Sequence, residues 1–243
     1  MGHRARLSRC GASADMALAH PSDVRTYWRL TDAITTCVAH GRVILLDVAN
    51  DRYLGLPEAC ESDFIHWLSN PAQVVPESCR ESMISMNVVE RDRLVFLRPA
   101  ACTVSMPAPI DPDLRPPSPV SAVTLLSLGW KLFSAWHLVR SHRLQRALDH
   151  AFPALPPREG GRTTMEARLA LFRSARPFLP IPRVCLHDCL ALARWLGPAS
   201  DVELVLGVSP YPFSAHCWVQ AGGRVIDDHP QSPSRFHPIL RLP

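Results

Sequence analysis

Apolar and polar positions follow two periods along this chain. Arg42-Val-Ile-Leu-Leu-Asp47 and Arg52-Tyr-Leu-Gly-Leu56 are short β-rich runs flanking the turn signal Asn50-Asp51, and together they predict a β-hairpin. Pro57-Glu58 then opens a helix with Ala59, Phe64, Trp67 and Leu68 as core positions. A second helix is predicted at 75–87 and a closing strand at Arg93-Leu-Val-Phe-Leu97. Leu125, Leu128, Leu132, Trp136 and Val139 recur at steps of three and four, which predicts one long helix from Val120 to about His150. Phe152 to Gly161 reads as a loop, and 163–175 as a helix stopped by Pro177 and Pro180. Val184 to Leu196 has no internal proline or glycine and ends at Gly197, the pattern of a buried helix with its stop residue. Three strands follow: Glu203–Val208, Ser214–Gln220 and Arg224–Asp228, the last two joined by a turn at Ala221-Gly-Gly223. Helices followed by an antiparallel sheet define an α+β fold.

Composition changes this picture in two places. Proline makes up 24 of 243 residues, clustered at 107–119, 153–157, 177–182 and 230–242, so it punctuates a folded chain. The cluster ending at 119 divides the chain into a tail at 1–20, a first module at 21–99, a Pro-rich linker at 100–119 and a second domain at 120–243. The first module, a hairpin with short helices, reads as a small winged-helix-like unit. The formal net charge of +4 is carried mostly by arginine and is spread along the chain, which gives no footprint for nucleic acid. The first 20 residues lack the apolar core of a secretory signal, and no uncharged apolar stretch is long enough to span a membrane. A reducing cytoplasm with free thiols is the expectation for the eight cysteines.

Cysteine chemistry is the feature to weigh. A thiol nucleophile needs a thiolate-favouring site, a base in reach and a group that orients the base. Cys185 stands at the start of a predicted helix, where backbone N–H groups favour the thiolate. His216 lies on a following strand and Asp228 on the next. With a three-residue turn at Ala221–Gly223 these two fall directly opposite, about 5 Å apart, close enough for imidazole and carboxylate to meet. His216 would take the Cys185 proton, Asp228 would fix the tautomer, and the Cys185 N–H would serve the oxyanion. Cys37, Cys60, Cys79, Cys102 and Cys217 read as small core residues, and Trp218 as either a wall of the site or core. A zinc site built from Cys185, His187, Cys189, His216, Cys217 and His229 is the competing reading. The Cys-x3-Cys spacing inside a helix, with no C-x2-C pair, disfavours it, and no metal is expected.

These residues also carry a resemblance. Cys185-Leu-His-Asp-Cys-Leu-Ala-Leu192, Leu206-Gly-Val208, Phe213-Ser-Ala-His-Cys-Trp-Val219 and Val225-Ile-Asp-Asp228 resemble the transglutaminase-like cysteine peptidases of lasso peptide biosynthesis. The resemblance implies a transglutaminase/papain-like peptidase domain with Cys185, His216 and Asp228 as its triad. It implies removal of a leader from a ribosomally made precursor, and a partner cyclase of the asparagine-synthetase type that alone uses ATP. No cofactor is implied for the cut itself. More weakly, Gly41 to Asp47 and Arg52 to Leu56 are similar to the leader-recognition element fused to some members, which binds the leader as an added strand. On that reading Leu45, Tyr53 and Leu56 are apolar contacts for the leader, and Arg42 and Arg52 meet its acids. The chain departs from the family at Cys189, usually small or hydroxylated, at Cys217, usually alanine, and at Asp227, often asparagine and here a rival orienter. Two other uses of the same residues stay open: a non-catalytic peptide-binding scaffold, and an acyl transferase that passes the thioester to an amine.

Overall fold

Alternate residues of the run at 42–47 face different cores, and this decides how the two halves of the chain meet. The computed structural model describes residues 27–70, 75, 77–92, 108–109, 120–141, 144–151, 162–197, 202–226 and 233–242. Strands β2 (Ile34–Ala39), β3 (Arg42–Asp47) and β4 (Arg52–Gly55) form an antiparallel sheet in that order, after β1 (Tyr27–Leu30). Val43 and Leu45 of β3 join one buried cluster while Ile44 and Leu46 join another. A strand buried on both faces reads as a continuous apolar run, as this one does. The β2–β3 turn is His40-Gly41, both at positive φ (50° and 79°), the two-residue turn that matches strand twist.

Asp47 fixes the β3–β4 connection. Its carboxylate accepts from the Asn50 backbone N–H at 3.1 Å, Asn50 Nδ2 at 2.7 Å and Arg52 Nε at 3.0 Å. Burial alone would raise the Asp47 pKa, but the Asn50 and Arg52 hydrogen bonds outweigh it and hold the group below its ordinary value. A depressed folded pKa stabilises the fold above the unfolded value and loses that contribution as pH falls through the folded one. Asp47→Asn is therefore expected to cost about 1–2 kcal/mol at pH 7. The variant should also show a smaller drop in urea midpoint between pH 6 and pH 3 than wild type does. Equal drops in both proteins would remove Asp47 from the acid sensitivity.

Helix α1 (Glu58–Ser69) and α2 (Glu77–Ser85) cover one face of this sheet. Cys60, Phe64 and Trp67 form the buried stripe of α1, with Leu68 packed beside it; of the expected core positions only Ala59 is exposed, and Cys60 takes its place. The strand β5 (Val89–Asp92) pairs with β1. The strand expected at Arg93–Leu97, the tail at 1–20 and the loop at Phe152–Gly161 lie outside the described residues. Within the expected linker, Ala108–Pro109 forms β6, which pairs in parallel with β9 (Arg224–Val225), so at that point the chain is a sheet edge and not a spacer.

The long helix expected over 120–150 is two helices, α3 (Ala122–Arg140) and α4 (Leu144–Ala151). Ser141 ends the first by donating its hydroxyl to the His137 carbonyl at 2.7 Å. By length and composition α3 could cross a membrane, although Lys131 interrupts its apolar run. Here Leu128, Leu132 and Ala135 pack into the core while Val123, Leu126, Trp130 and Phe133 are exposed. Helices α5 (Arg162–Ala175) and α6 (Cys185–Leu196) complete the layer, and Gly197 at φ 81° closes α6 as expected. The larger sheet runs β10-β7-β8-β9-β6, with β7 Val202–Pro210, β8 Phe213–Ala221 and β10 His237–Leu242. Helix α6 packs on β7 and β8, and β2 and β3 pack beside β7 and β10. Cys37, Ala39, Ile44, Leu46 and Val48 of the first module therefore share a core with Leu190, Leu204, Cys217 and Ile239 of the second.

Candidate active site

Cys185 is the first residue of α6, and its neighbours explain why the helix starts there. Val184 at the N-cap is extended (φ −128°, ψ 127°) and has no side-chain acceptor to offer the first-turn N–H groups. The approach to the helix is held by Arg176, which is 4 % exposed. Its Nη2 donates to the carbonyls of Ile181 at 2.9 Å and Pro182 at 3.2 Å, and its Nη1 to Leu179 at 3.4 Å. The same guanidinium grips Asp188 in the first turn of α6, Nε to Oδ1 at 3.0 Å and Nη2 to Oδ1 at 2.9 Å. One buried cation thus ties together both sides of Cys185. Sequence reasoning missed it, because an arginine after a helix reads as an exposed C-terminal charge.

Cys189, one turn further on, settles into the protein interior. It is 1 % exposed, and its thiol donates to the Cys217 carbonyl at 3.2 Å. That contact pins α6 to β8 one turn from Cys185 and one residue from His216. Cys185, by contrast, is only half-buried. Of the two thiols on this helix, Cys185 is the one a substrate can reach.

His216 is 2 % exposed, with its ring 5.0 Å from Phe236 and 6.1 Å from Trp218. It shares the Trp218 face of β8, while Cys217 joins the cluster that holds Cys189 and Leu190, as the strand period predicts. Gly207 pairs with His216 across β7 and β8. A Cβ at position 207 would lie 2.7 Å from Trp218 Cζ3 and 2.9 Å from Phe236 Cβ. The glycine is therefore what lets Trp218 lie flat beside the imidazole. Trp218 is held further by its Nε1 donating to Gln220 Oε1 at 3.3 Å, with Gln220 Nε2 on Glu203 at 2.6 Å. Gly207→Ala is expected to cost about 1–3 kcal/mol through overpacking, with a changed Trp near-ultraviolet circular dichroism signal. An unchanged spectrum and melting temperature would show that the strand absorbs the methyl group.

The turn expected between the strands of His216 and Asp228 is corrected in its length. Gly222 and Gly223 both take positive φ (54° and 75°), so the turn has two residues, and Ala221 pairs with Arg224 and Gln220 with Val225. The described ladder is one residue out of step with a three-residue turn, and the pairing of His216 with Asp228 lies beyond it. Asp228, its rival Asp227 and His229 lie outside the described residues. Among the described residues no three His, Cys, Asp or Glu side chains gather where they could hold a metal ion.

The residues considered for leader binding divide between the interior and the surface, where Arg52 is exposed. Leu45 and Leu56 are buried in the cluster under α1 and α2, where they hold the module together. Arg42 donates Nε to Glu61 at 2.8 Å and Nη1 to the Tyr211 hydroxyl at 3.1 Å, and Arg52 is tied to Asp47. Tyr53 turns toward the second domain, packs against its core and meets Phe213 of β8 edge-on at 5.3 Å. His40 and His237 make a further contact between the halves, ring to ring at 4.9 Å. Sequence patterning selected Tyr53 as a site residue, but not for the place it occupies.

This arrangement, a helix that begins with a reachable cysteine and packs on a histidine-bearing strand, agrees with the comparison to known families. Residues 126–241 match the family model of the transglutaminase-like superfamily, so this part of the chain is similar to that family. The chain is also similar to the Microcin J25-processing protein McjB of Escherichia coli, 39 % identical over 59 residues, which is 24 % of this chain and 28 % of that protein. The match thus spans well under half of that relative's length. No solved structure matches the chain.

Proposed function

We propose that this protein is a cysteine peptidase that releases the leader from a ribosomally made precursor during lasso peptide maturation. The observation that carries the reading is Cys185 at the open start of α6, with that helix pinned to the His216 strand through Cys189 and Cys217. In this mechanism His216 accepts the Cys185 proton, and the thiolate attacks the scissile carbonyl. The oxyanion turns toward the Cys185 backbone N–H at the helix terminus. The amine of the mature peptide leaves with the proton from His216, and water hydrolyses the thioester to free the leader. Asp228 orients His216. The first module, read as a winged-helix-like leader-recognition unit, offers β4 as an edge strand for the leader, since β4 pairs with β3 alone among the described residues. Its partners are the precursor and an asparagine-synthetase-like cyclase that supplies the ATP-dependent step, and the setting is the cytoplasm.

Intact-mass analysis of a precursor encoded beside the gene tests this, with the cyclase and ATP in a parallel tube. Without the cyclase, leader and core masses that together exceed the precursor by one water are expected; with it, ring closure removes that water and the two masses sum to the precursor. An intact precursor in both tubes overturns the reading.

A further inference from the structure

Helix α3 carries two apolar stripes, and the core of the protein uses one of them. Leu125, Leu128, Leu132, Ala135 and Val139 face the core. Val123, Leu126, Trp130 and Phe133 recur at steps of three and four on the other side, where they are 76 %, 76 %, 66 % and 47 % exposed. A surface helix of a globular protein turns polar side chains to water, and one that is apolar on both faces calls for a second apolar surrounding. The length and hydropathy of α3 would suit a membrane span. Leu128, Leu132 and Ala135, however, fasten it to the cluster that holds Leu169 and Leu190. A span would break that packing, whereas a helix lying flat in the boundary of a bilayer keeps it.

Shape and charge both fit a lipid surface. Trp130 and Phe133 contact each other with ring centroids 6.1 Å apart, Phe133 and Trp136 at 5.8 Å, and His137 stacks on Phe133 at 6.3 Å. Neighbouring rings fill the spaces into which a partner helix would set its own side chains. What remains is an aromatic ridge, and such rings concentrate where membrane meets water. No Asp or Glu occurs between Val120 and Leu148. Cations stand along the helix instead. Lys131 lies within it, and Arg140 at its end holds its guanidinium 5.4 Å over the Trp136 ring. Arg194 of α6 reaches its flank, donating Nη1 to Ser134 Oγ at 3.1 Å. A second copy of this face would bring cation to cation, whereas anionic headgroups complement it.

We propose that α3 is a membrane-docking face: the ridge of Val123, Leu126, Trp130 and Phe133 enters the headgroup boundary of an anionic bilayer, and Lys131, Arg140 and Arg194 meet the lipid phosphates. The inference does not depend on the peptidase reading. It makes the chain a peripheral membrane protein, with α6, which packs on α3, held just behind the docked face.

The test floats the full-length protein with vesicles in a density gradient, which separates bound protein from aggregate. Vesicles of phosphatidylcholine alone are compared with vesicles that also contain phosphatidylglycerol. Wild type is expected to bind the mixed vesicles about 10-fold or more tightly than phosphatidylcholine alone, and less tightly as salt rises. Trp130→Ser combined with Phe133→Ser should weaken that binding by about 10-fold or more, and Arg140→Gln by about fivefold. These side chains are exposed, so melting temperatures should hold at the wild-type value. If the paired variant melts lower, Leu126→Ser and Arg140→Gln carry the comparison. Wild type that stays at the bottom of the gradient with mixed vesicles overturns the proposal. Equal binding to both kinds of vesicle removes the cations from it and overturns it as well, as does equal flotation of wild type and the folded ridge variants. A wild-type dimer in sedimentation velocity, dissociated by the ridge substitutions and showing no flotation, would give the ridge to a second copy and overturn the lipid assignment.

Discussion

Cys185→Ala ends leader release, with a fall in rate of at least about 10⁴-fold, since removal of a nucleophile eliminates the covalent route altogether. The informative companion is Cys189→Ser. Both thiols lie on α6 one turn apart, and sequence alone leaves either able to react. Their surroundings separate them. The Cys189 thiol is buried and already committed to the Cys217 carbonyl at 3.2 Å, while Cys185 begins the helix and is half-buried. A hydroxyl can make the same donation, so Cys189→Ser keeps the tie between α6 and β8 and retains cleavage within about threefold. Cys189→Ala loses the tie, leaves the carbonyl unmet and costs about 1–2 kcal/mol, read as a lower melting temperature with cleavage still present. Cleavage that survives Cys185→Ala and disappears in Cys189→Ser would move the nucleophile one turn along the helix and invalidate the mechanism drawn above.

The parts of this fold that sequence reveals are those governed by local rules. Helix α6 announces itself through an uninterrupted apolar pattern and the Gly197 stop, and β7 through its recurring valines. The β3–β4 hairpin follows from Asn50-Asp51, because Asp47 and Asn50 close that turn by themselves. The failures arise where a choice depends on distant packing. Ala221-Gly222-Gly223 permits turns of two or three residues, and the strand twist selects two. Strand β10 lies in a stretch read as proline punctuation; Pro238 is tolerated there because the ladder with β7 shifts register just past it. Composition marks a Pro-rich stretch at 100–119, but nothing in it says that β2 and β3 would insert Cys37, Ile44 and Leu46 into the core of the second domain. In the candidate site, the start of α6 at Cys185 and the strand that carries His216 were legible from pattern. Their supports were not: the roles of Arg176 and Gly207 are tertiary facts about residues with ordinary local patterns.

Arg176→Met is the second substitution with a large expected effect, and it acts on the nucleophile from a distance. The guanidinium satisfies one carboxylate and three carbonyls on the two sides of Cys185, so methionine of similar length fills the space and meets none of them. Removal of one partner from a buried pair costs about 3–5 kcal/mol, most of it from the uncompensated charge left behind. Asp188 retains some solvent contact, with its side chain 20 % exposed, which places the expected loss near the low end, about 3 kcal/mol. For a chain of this size that lowers the melting temperature by roughly 6–12 °C. Well below that temperature the protein remains folded, yet the segment from Leu179 to Pro182 and the first turn of α6 lose their common anchor. Cleavage should then fall by about 10-fold or more in kcat with KM little changed, because misplacing a reacting group weakens the transition state and spares remote binding. Adding Asp188→Asn to Arg176→Met should recover part of the stability, since the orphaned charge is gone, without recovering the rate, since the loop carbonyls are still unheld. Recovery of both together would mean that the ion pair alone matters and the clamp on the approach does not. Wild-type melting and cleavage in Arg176→Met would show that Cys185 is positioned by the core packing of α6 without help from Arg176.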